Sequence, residues 1–593
     1  MFFPLQKGNY DIISQVKNLF LFFLFLCATV VYLPSLYNAF IIKVPVVFIF
    51  LSAYFWFARP ELNSSIGKNI SVIFLALFVY SVFSLYGNYL WAGWEYFRFL
   101  ILCVLCFVAG ATIKDRDFIK KRLLPLFLLC AFLIACFAIF QYSKGQTPVS
   151  FVGNRNLSAE TIVITFPFLL YFFIKPRTFH FLPLTFYFLL CVLFLFAIST
   201  AESFIAWGIL GVSVFIFISL VFSKKMSDFF IFLGCGVCAV CAVFLTPVGD
   251  VLIKAFFSNI RLMIWAGVIE MILAKPWTGF GIGRFPIYYQ EFRLREYFLH
   301  PNATFVTDYA HNEFLHTASE MGLLGVVLFA GIIIICFLSF RSIFTLHRDE
   351  KILTASIIAS VASGILIGML EQWLRFIPVA LFFWFLLGVL YSFKIQKSYI
   401  PVPAKVLSIV CLVLSLTYIP GIISQHFLFK GYVFSEKHKS ALAIDNFKKA
   451  IRYDRNNIHA QFFLGNEYLK KGLLNDGIRE LKKAGHIWPD FSVTGVLLGS
   501  ALLGVGKIEE AKTVLKRAEY INPYNLDVLT LQADIARVAG DKTTEQMYKN
   551  RINMLESKEG LSARLTTRRL YKKPLNEKNS NLENGNQDNI VVE

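Results

Sequence analysis

Between Asp308 and Gly325 the chain reads DYAHNEFLHTASEMGLLG. Asp308, Tyr309, His311, Asn312, Glu313, His316 and Glu320 crowd into its first half, and a strongly apolar run opens at Met321. An imidazole can take a proton from a hydroxyl near neutral pH. At helical spacing Asn312, His316 and Glu320 fall on one row, and His311 on the adjacent row. Arg261, Arg284, Arg293 and Arg295 precede them in the same long segment. A guanidinium brings a permanent charge and a bidentate fork that suits an anionic group. Together these groups could move a proton beside a bound anion. A lone histidine at such a position is usually structural; the company of Asn, Glu and several Arg favours the chemical reading. The outer segments show no ligand set of metal spacing, so no metal and no cofactor is expected. GFGIG at 279–283 lacks a preceding strand and a βαβ unit, so it is not a dinucleotide fingerprint.

The elements that must position these groups are membrane helices. The 593 residues are 57% hydrophobic, with 65 Phe and only 16% charged residues, where a soluble domain carries roughly 25%. Apolar runs such as FIAWGILGVSVFIFISLVF at 204–222 are long enough to span a bilayer. The pattern predicts an all-α polytopic bundle of about thirteen spans, near 18–37, 40–57, 69–87, 97–113, 123–141, 159–174, 181–199, 203–222, 228–246, 322–340, 353–370, 376–393 and 404–424. Ionisable groups at the foot of such a helix are costly to hold and tend to mark sites. KDRDFIKKR at 114–122, KPR at 175–177, KK at 224–225 and RSIFTLHRDEK at 341–351 fall at every second loop. The positive-inside rule then places the N-terminus in the cytoplasm and 142–158, 199–203, 247–321 and 371–375 outside. The net charge of +19 reads as topology and solvation, not as a nucleic-acid surface. No short apolar core with a small-residue cleavage site opens the chain, so the first helix is expected to stay as an anchor. All eleven cysteines lie in the expected helices, so the outer parts must fold without disulfides.

In the long segment, Ile264, Val268 and Met271 give 261–273 one apolar helical face, ended by Pro276 and a flexible GFGIG turn. Gly322 and Gly325 would let another helix approach closely.

Beyond residue 424 the charge rises and a period of 34 appears. Leu464, Gly465, Tyr468, Leu481, Ala484 and Pro489 recur as Leu498, Gly499, Leu502, Leu515, Ala518 and Pro523. A small residue at a helix crossing, large apolar residues a turn away and Pro after the second helix describe a helix-turn-helix solenoid. The spacing resembles the tetratricopeptide repeat, with three to four copies over 425–556 and a poor fit after 526. A protein partner on its concave face is expected. The polar stretch 557–593 is expected to be disordered.

R...W....I....P.TGFGIGRF at 261–285, followed by HNEFLHTASEMGLLG at 311–325, resembles the signature region of the O-antigen ligase superfamily, which holds ligases, polymerases and O-linked oligosaccharyltransferases. GNRNLSAE at 153–160 resembles the family's Asn-x-Asn element. The resemblance covers roughly 60–400. It implies a GT-C-like membrane glycosyltransferase over 1–424, in the cytoplasmic membrane, with its outer loop at 247–321. Such an enzyme moves a glycan from a polyprenyl diphosphate carrier to a hydroxyl of lipid A core, protein or another glycan on the outer face, with no nucleotide sugar and no essential metal. By the same resemblance His311 matches the essential histidine and Arg261 an arginine that holds the diphosphate. Arg155 and Arg284 are further candidates for the diphosphate, and Asn154, Asn156, Asn312, Glu313, His316 and Glu320 for support. One departure stands out. STAESF at 199–204 carries Glu202 where relatives have a basic residue, and Arg155 is the candidate to replace that charge. A polymerase, or a non-catalytic scaffold of glycan assembly, is the alternative. A transporter would show repeats in the membrane half and charges at mid-helix, and the sequence has neither.

Overall fold

The computed structural model describes residues 7–31, 38, 41–57, 66–113, 115–174, 181–244, 260–300, 303–304, 306–337, 343–373, 375–393, 399–400 and 404–557. The polar tail from residue 558 and the segment 245–259 lie outside them. In chain order the membrane half comprises α1 (Lys7–Val30), α2 (Lys43–Phe57), α3 (Lys68–Ser84), α4 (Leu90–Ala111), α5 (Arg116–Ser143), α6 (Arg155–Ile174), α7 (Phe181–Thr200), α8 (Phe204–Phe222), α9 (Met226–Phe244), α10 (Ile260–Ala274), α11 (Phe285–Phe292), α12 (Glu313–Phe337), α13 (Arg348–Gly368), α14 (Val379–Ser392) and α15 (Ala404–Leu416). Seven helices are long and apolar enough to cross a membrane: α4, α5, α6, α8, α12, α13 and the run Ala404–Glu436. Shorter apolar helices occupy the other six expected spans, in α1, α2, α3, α7, α9 and α14. The chain is a multi-pass membrane protein. Among the described residues the only strands are Ile66–Gly67 and Tyr399–Ile400, which pair antiparallel.

α14 is the axis of the bundle, because every residue from Val379 to Tyr391 is buried. α4 crosses it backbone to backbone. A Cβ on Gly110 would lie 2.1 Å from the Phe385 carbonyl, and one on Gly388 2.1 Å from that of Phe107. Without hydrophobic drive between helices in lipid, such small-residue crossings supply the packing. Basic loops meet on one face of the bundle, where Lys120 bonds Asp349 and Lys351 bonds the Ser223 carbonyl. The segments at 154–156, 202, 261, 311 and 371 meet on the other.

Beyond α15 come four antiparallel pairs: α16 (Ile419–Glu436) with α17 (Ser440–Tyr453), α18 (Ile458–Lys470) with α19 (Leu474–Ile487), α20 (Ser492–Gly504) with α21 (Ile508–Ile521), and α22 (Leu526–Val538) with α23 (Lys542–Glu556). Gly465 meets Leu481 and Gly499 meets Leu515, with Cβ positions 2.8 and 2.6 Å from those side chains. The turn inside each pair takes one left-handed residue: His438, Gly472, Gly506 and Gly540, with φ of 54°, 75°, 76° and 75°. This left-handed mark repeats every 34 residues and carries the frame into the last pair, whose apolar positions had matched it poorly.

The solenoid rests on the long interhelical segment. Leu526, Leu529 and Leu555 share one core with Ile264, Val268, Met271, Tyr289 and Ala310. Val306 joins the core of the middle repeats. Arg517 bonds both Asp490 (2.9 Å) and Glu291.

Candidate functional site

Glu371, just past the end of α13, is the centre of the polar cluster. Its side chain is 4% exposed. His311 Nδ1 lies 3.2 Å from Glu371 Oε2, Asn156 Nδ2 donates to Oε1 at 3.2 Å, and Arg261 Nη2 also donates to Oε1. Arg261 Nη1 donates to the Leu370 carbonyl at 3.1 Å. Burial pushes the Glu371 carboxyl upward, but the His311 hydrogen bond and the Arg261 charge outweigh it and hold it below the usual carboxylate range. A carboxylate only accepts, so Nδ1 of His311 carries the proton and Nε2 is the basic nitrogen. The ring is 30% exposed.

Local sequence fixes His311 in place. Asn312 Oδ1 accepts from the N–H groups of Phe314 and Leu315 at 3.0 Å each, which caps α12. Asn312 Nδ2 donates to the Met369 carbonyl at 2.8 Å, tying the cap to the turn that carries Glu371. Trp265 Nε1 holds the Ala310 carbonyl at 2.9 Å. Between these ties His311 sits at φ 49°, a left-handed conformation rare for a side-chain-bearing residue and typical of constrained sites.

Asn312 caps the helix, so the row it was expected to share with His316 and Glu320 divides. His316 and Glu320 are buried within a second cluster. His316 Nδ1 accepts from the Ala310 N–H at 3.2 Å, and its Nε2 lies 3.2 Å from Glu320 Oε1. Glu320 also accepts from Arg375 Nη2 at 2.9 Å and from the Phe285 N–H at 3.1 Å. Burial works against the Arg375 charge, yet Glu320 more than offsets this and raises its pKa above the ordinary arginine value. The Arg375 guanidinium lies 4.1 Å from the Tyr96 ring centroid. This cluster locks the foot of α12 to the loop above it.

The GFGIG turn is fixed rather than flexible. Phe280 and Gly281 donate to the Ser319 and Glu320 carbonyls at 2.9 and 2.8 Å, and Leu323 donates to the Pro276 carbonyl at 2.8 Å. α12 breaks at Gly322, with φ 63° and ψ −175°. A Cβ there would lie 2.2 Å from the Trp277 carbonyl, so it is the turn, not another helix, that approaches Gly322.

The remaining candidates lie as follows. Arg284 is buried and donates to the carbonyls of Ser84 and Tyr86 (3.3 and 3.0 Å) and of Leu85, so it fastens the α3–α4 loop and does not reach the His311 cluster. Burial lowers its pKa. Arg155 pairs with Glu202 at 3.2 Å, both well exposed. Asn154 Oδ1 caps α6 through the Asn156 N–H at 2.8 Å. Glu313 is buried in the first turn of α12. The structure thus gathers His311, Arg261 and Asn156 around Glu371, with Arg155 next to Asn156 in the chain.

Three residues of this region escaped the sequence reading. Glu371 and Arg375 are the charged residues of EQWLRF, a short connection between two apolar helices, and that isolation was the available signal. Glu160, one turn beyond Asn156, is fully buried, and neither of its carboxyl oxygens is hydrogen-bonded among the described residues. It feels the charges of Glu371 and Arg261.

Residues 159–330 match the family model described as O-antigen ligase, and residues 496–525 match a model described as tetratricopeptide repeat. The first match includes Glu160, Glu202, Arg261, His311, His316 and Glu320 and ends before Glu371. No curated protein matches. Among solved structures, one similar chain is described as the crystal structure of MamA protein, 21% identical, covering 29% of this chain and 100% of that one with a TM-score of 0.22. The O-antigen ligase match supports a membrane glycan ligase- or polymerase-type function and a glycosyltransferase-like enzyme.

Proposed function

We propose that this chain, which joins an O-antigen ligase domain to tetratricopeptide repeats, transfers a glycan from a polyprenyl diphosphate carrier to an acceptor hydroxyl on the outer face of the cytoplasmic membrane. The observation that carries the proposal is the Arg261–Glu371–His311 chain at the foot of α12. Glu371 fixes the tautomer and direction of the His311 ring, as carboxylates do for catalytic imidazoles. Nε2 of His311 then takes the proton of the acceptor hydroxyl while its oxygen bonds to the anomeric carbon. The bond from that carbon to the diphosphate oxygen breaks, and the electron pair leaves with the carrier. Arg261 holds Glu371 and sets a positive charge beside the leaving group. Arg155, tied to Glu202 by an exposed pair of small energetic worth, turns to the diphosphate when the donor enters. His316, Glu320 and Arg375 keep the helix foot rigid.

Transfer by the purified protein in lipid nanodiscs, with carrier-linked glycan as donor, tests this. His311→Ala is expected to lower the rate by ~10²–10⁴ with donor binding retained. Wild-type rates would leave His311 only a structural role. In cells, carrier-linked chains accumulate if the protein is a ligase; capped single units accumulate if it is a polymerase.

A further inference from the structure

The membrane-facing end of the solenoid carries a charge cluster that the transfer chemistry does not use. α16 continues the last membrane helix, and Arg98 bonds the junction at Thr417, 3.2 Å to its carbonyl and 3.0 Å to its hydroxyl. α17 runs back toward that junction, since Ser424 Oγ donates to the Ala450 carbonyl at 2.9 Å and Phe427 stacks on Tyr453 at 5.8 Å. The start of α18 is level with the same point, because Asn457 Nδ2 bonds Ser424 Oγ at 3.0 Å. The far end of α18 is level with Ser435, which Lys470 Nζ reaches at 3.1 Å. α19 therefore returns as α17 does, and the C-terminal ends of both helices face the membrane. Ser424 is seven residues beyond Thr417, about 10 Å along a helix, a height from which long basic side chains reach headgroups.

Between these two ends lies an open groove of about 470 Å³, lined by Lys448, Arg452, Arg455, Gln461, Lys483 and His486. Glu480 is buried and already engaged by Gln461, Lys483 and Arg479. Lys448, Arg452 and Arg455 form no ion pair among the described residues. Helix dipoles favour basic residues at C-terminal ends, but that does not account for Arg455, which lies beyond α17. Nor does it require cations from two helices to converge on one groove.

We propose that this groove binds the phosphates of anionic lipid headgroups and so fixes the solenoid to the bilayer on the face that carries His311. Guanidinium groups grip phosphate bidentately, and each basic residue near an anionic surface adds about 1 kcal/mol. The orientation of both helix ends favours a lipid over a free glycan, and Ile451 and Ile487 in the same groove offer an apolar bed beside the headgroup.

The full-length protein is reconstituted in nanodiscs of phosphatidylcholine, with or without phosphatidylglycerol, and its lysines are pulse-acylated and read by mass spectrometry. Acylation of Lys448 and Lys483 is expected to slow about fivefold with phosphatidylglycerol, while Lys437 and Lys471, exposed at the opposite end of the same helix pairs, keep their rates. The double variant Arg452→Gln, Arg455→Gln should lose that protection, with unchanged Lys437 and Lys471 rates reporting an intact fold. Equal rates in the two lipids, or protection that survives in the double variant, would overturn the proposal. Protection by inorganic phosphate or a soluble sugar phosphate in phosphatidylcholine discs, without any effect of phosphatidylglycerol, would overturn it in favour of a phosphorylated glycan.

Discussion

Replacing Glu371 by Gln keeps the shape of the side chain and removes its charge. The carboxylate accepts from three donors: Arg261 and Asn156 on Oε1, and His311 on Oε2 at 3.2 Å. A glutamine has one oxygen for this work. If that oxygen stays with Arg261 and Asn156, its NH₂ faces His311 Nδ1. The imidazole must then accept there and move its own proton to Nε2, the nitrogen that should receive the acceptor's proton. Trapping a catalytic histidine in the wrong tautomer costs up to ~10⁴ in rate, and losing general-base help costs at least ~10². Glu371→Gln is therefore expected to lower transfer by ~10²–10⁴, roughly 3–5 kcal/mol of barrier. Folding should suffer less, because the Gln oxygen still meets Arg261; a loss of about 1–3 kcal/mol is expected. The assay is single-turnover transfer in nanodiscs, with donor binding measured separately. A variant with wild-type turnover, or one that loses donor affinity while turning over bound donor normally, would refute the role of Glu371 in orienting His311.

Further expectations follow from the same geometry. The Glu371 carboxyl is held below its ordinary value, so its contribution to folding is complete above about pH 4.3 and is lost as pH falls through the lower folded value; thermal unfolding in detergent should show the gap between wild type and Glu371→Gln closing only in that acid window. Gly322→Ala combines a left-handed φ of 63° with a Cβ 2.2 Å from the Trp277 carbonyl, whereas Gly145→Ala meets only a φ of 69° and open space; the first should cost more than about 2 kcal/mol and the second about 1, compared by thermal unfolding. Arg155→Ala should change stability by less than about 1 kcal/mol, because its pair with Glu202 is exposed, yet reduce donor affinity measured by titration; unchanged affinity would remove Arg155 from the site. A reporter fused after residue 557 is expected to be active outside the cytoplasm and one at 118 inside, and activity of both on one side would break the alternation of spans.

The all-helical membrane bundle and the repeats were legible because both rest on patterns of apolar residues along the chain, although seven of the thirteen expected spans are, among the described residues, long and apolar enough to cross a membrane. An unbroken apolar run and a period of 34 survive without knowledge of neighbours. The last repeat was hard to read because its apolar positions drift, and the left-handed turn residue that carries the period, Gly540, is a single position. In the site, His311 and Arg261 stood out by type and company. Glu371 did not, since its meaning lies in three partners 60, 110 and 215 residues away in sequence. The division of the row Asn312, His316 and Glu320 was hidden for a related reason: helical periodicity assigns faces only once the helix start is known, and Asn312 spends its side chain making that start. Arg284 looked like a ligand for a phosphate because sequence cannot show that the carbonyls of Ser84, Leu85 and Tyr86 already occupy it.

The shared core of the repeats and the interhelical segment gives the solenoid a second identity. Leu526, Leu529 and Leu555 lie against the same side chains that seat α10, and that core extends to Ala310, the residue before His311. The last helix pair is thus a foundation wall of the candidate site. A ligand that tilts this pair would shift the ground under Arg261 and His311 from a distance, through the core they share with it. The same architecture changes the meaning of a familiar experiment. A chain cut after residue 521 would expose the apolar underside of α10, and its silence would record a collapsed footing rather than an absent partner.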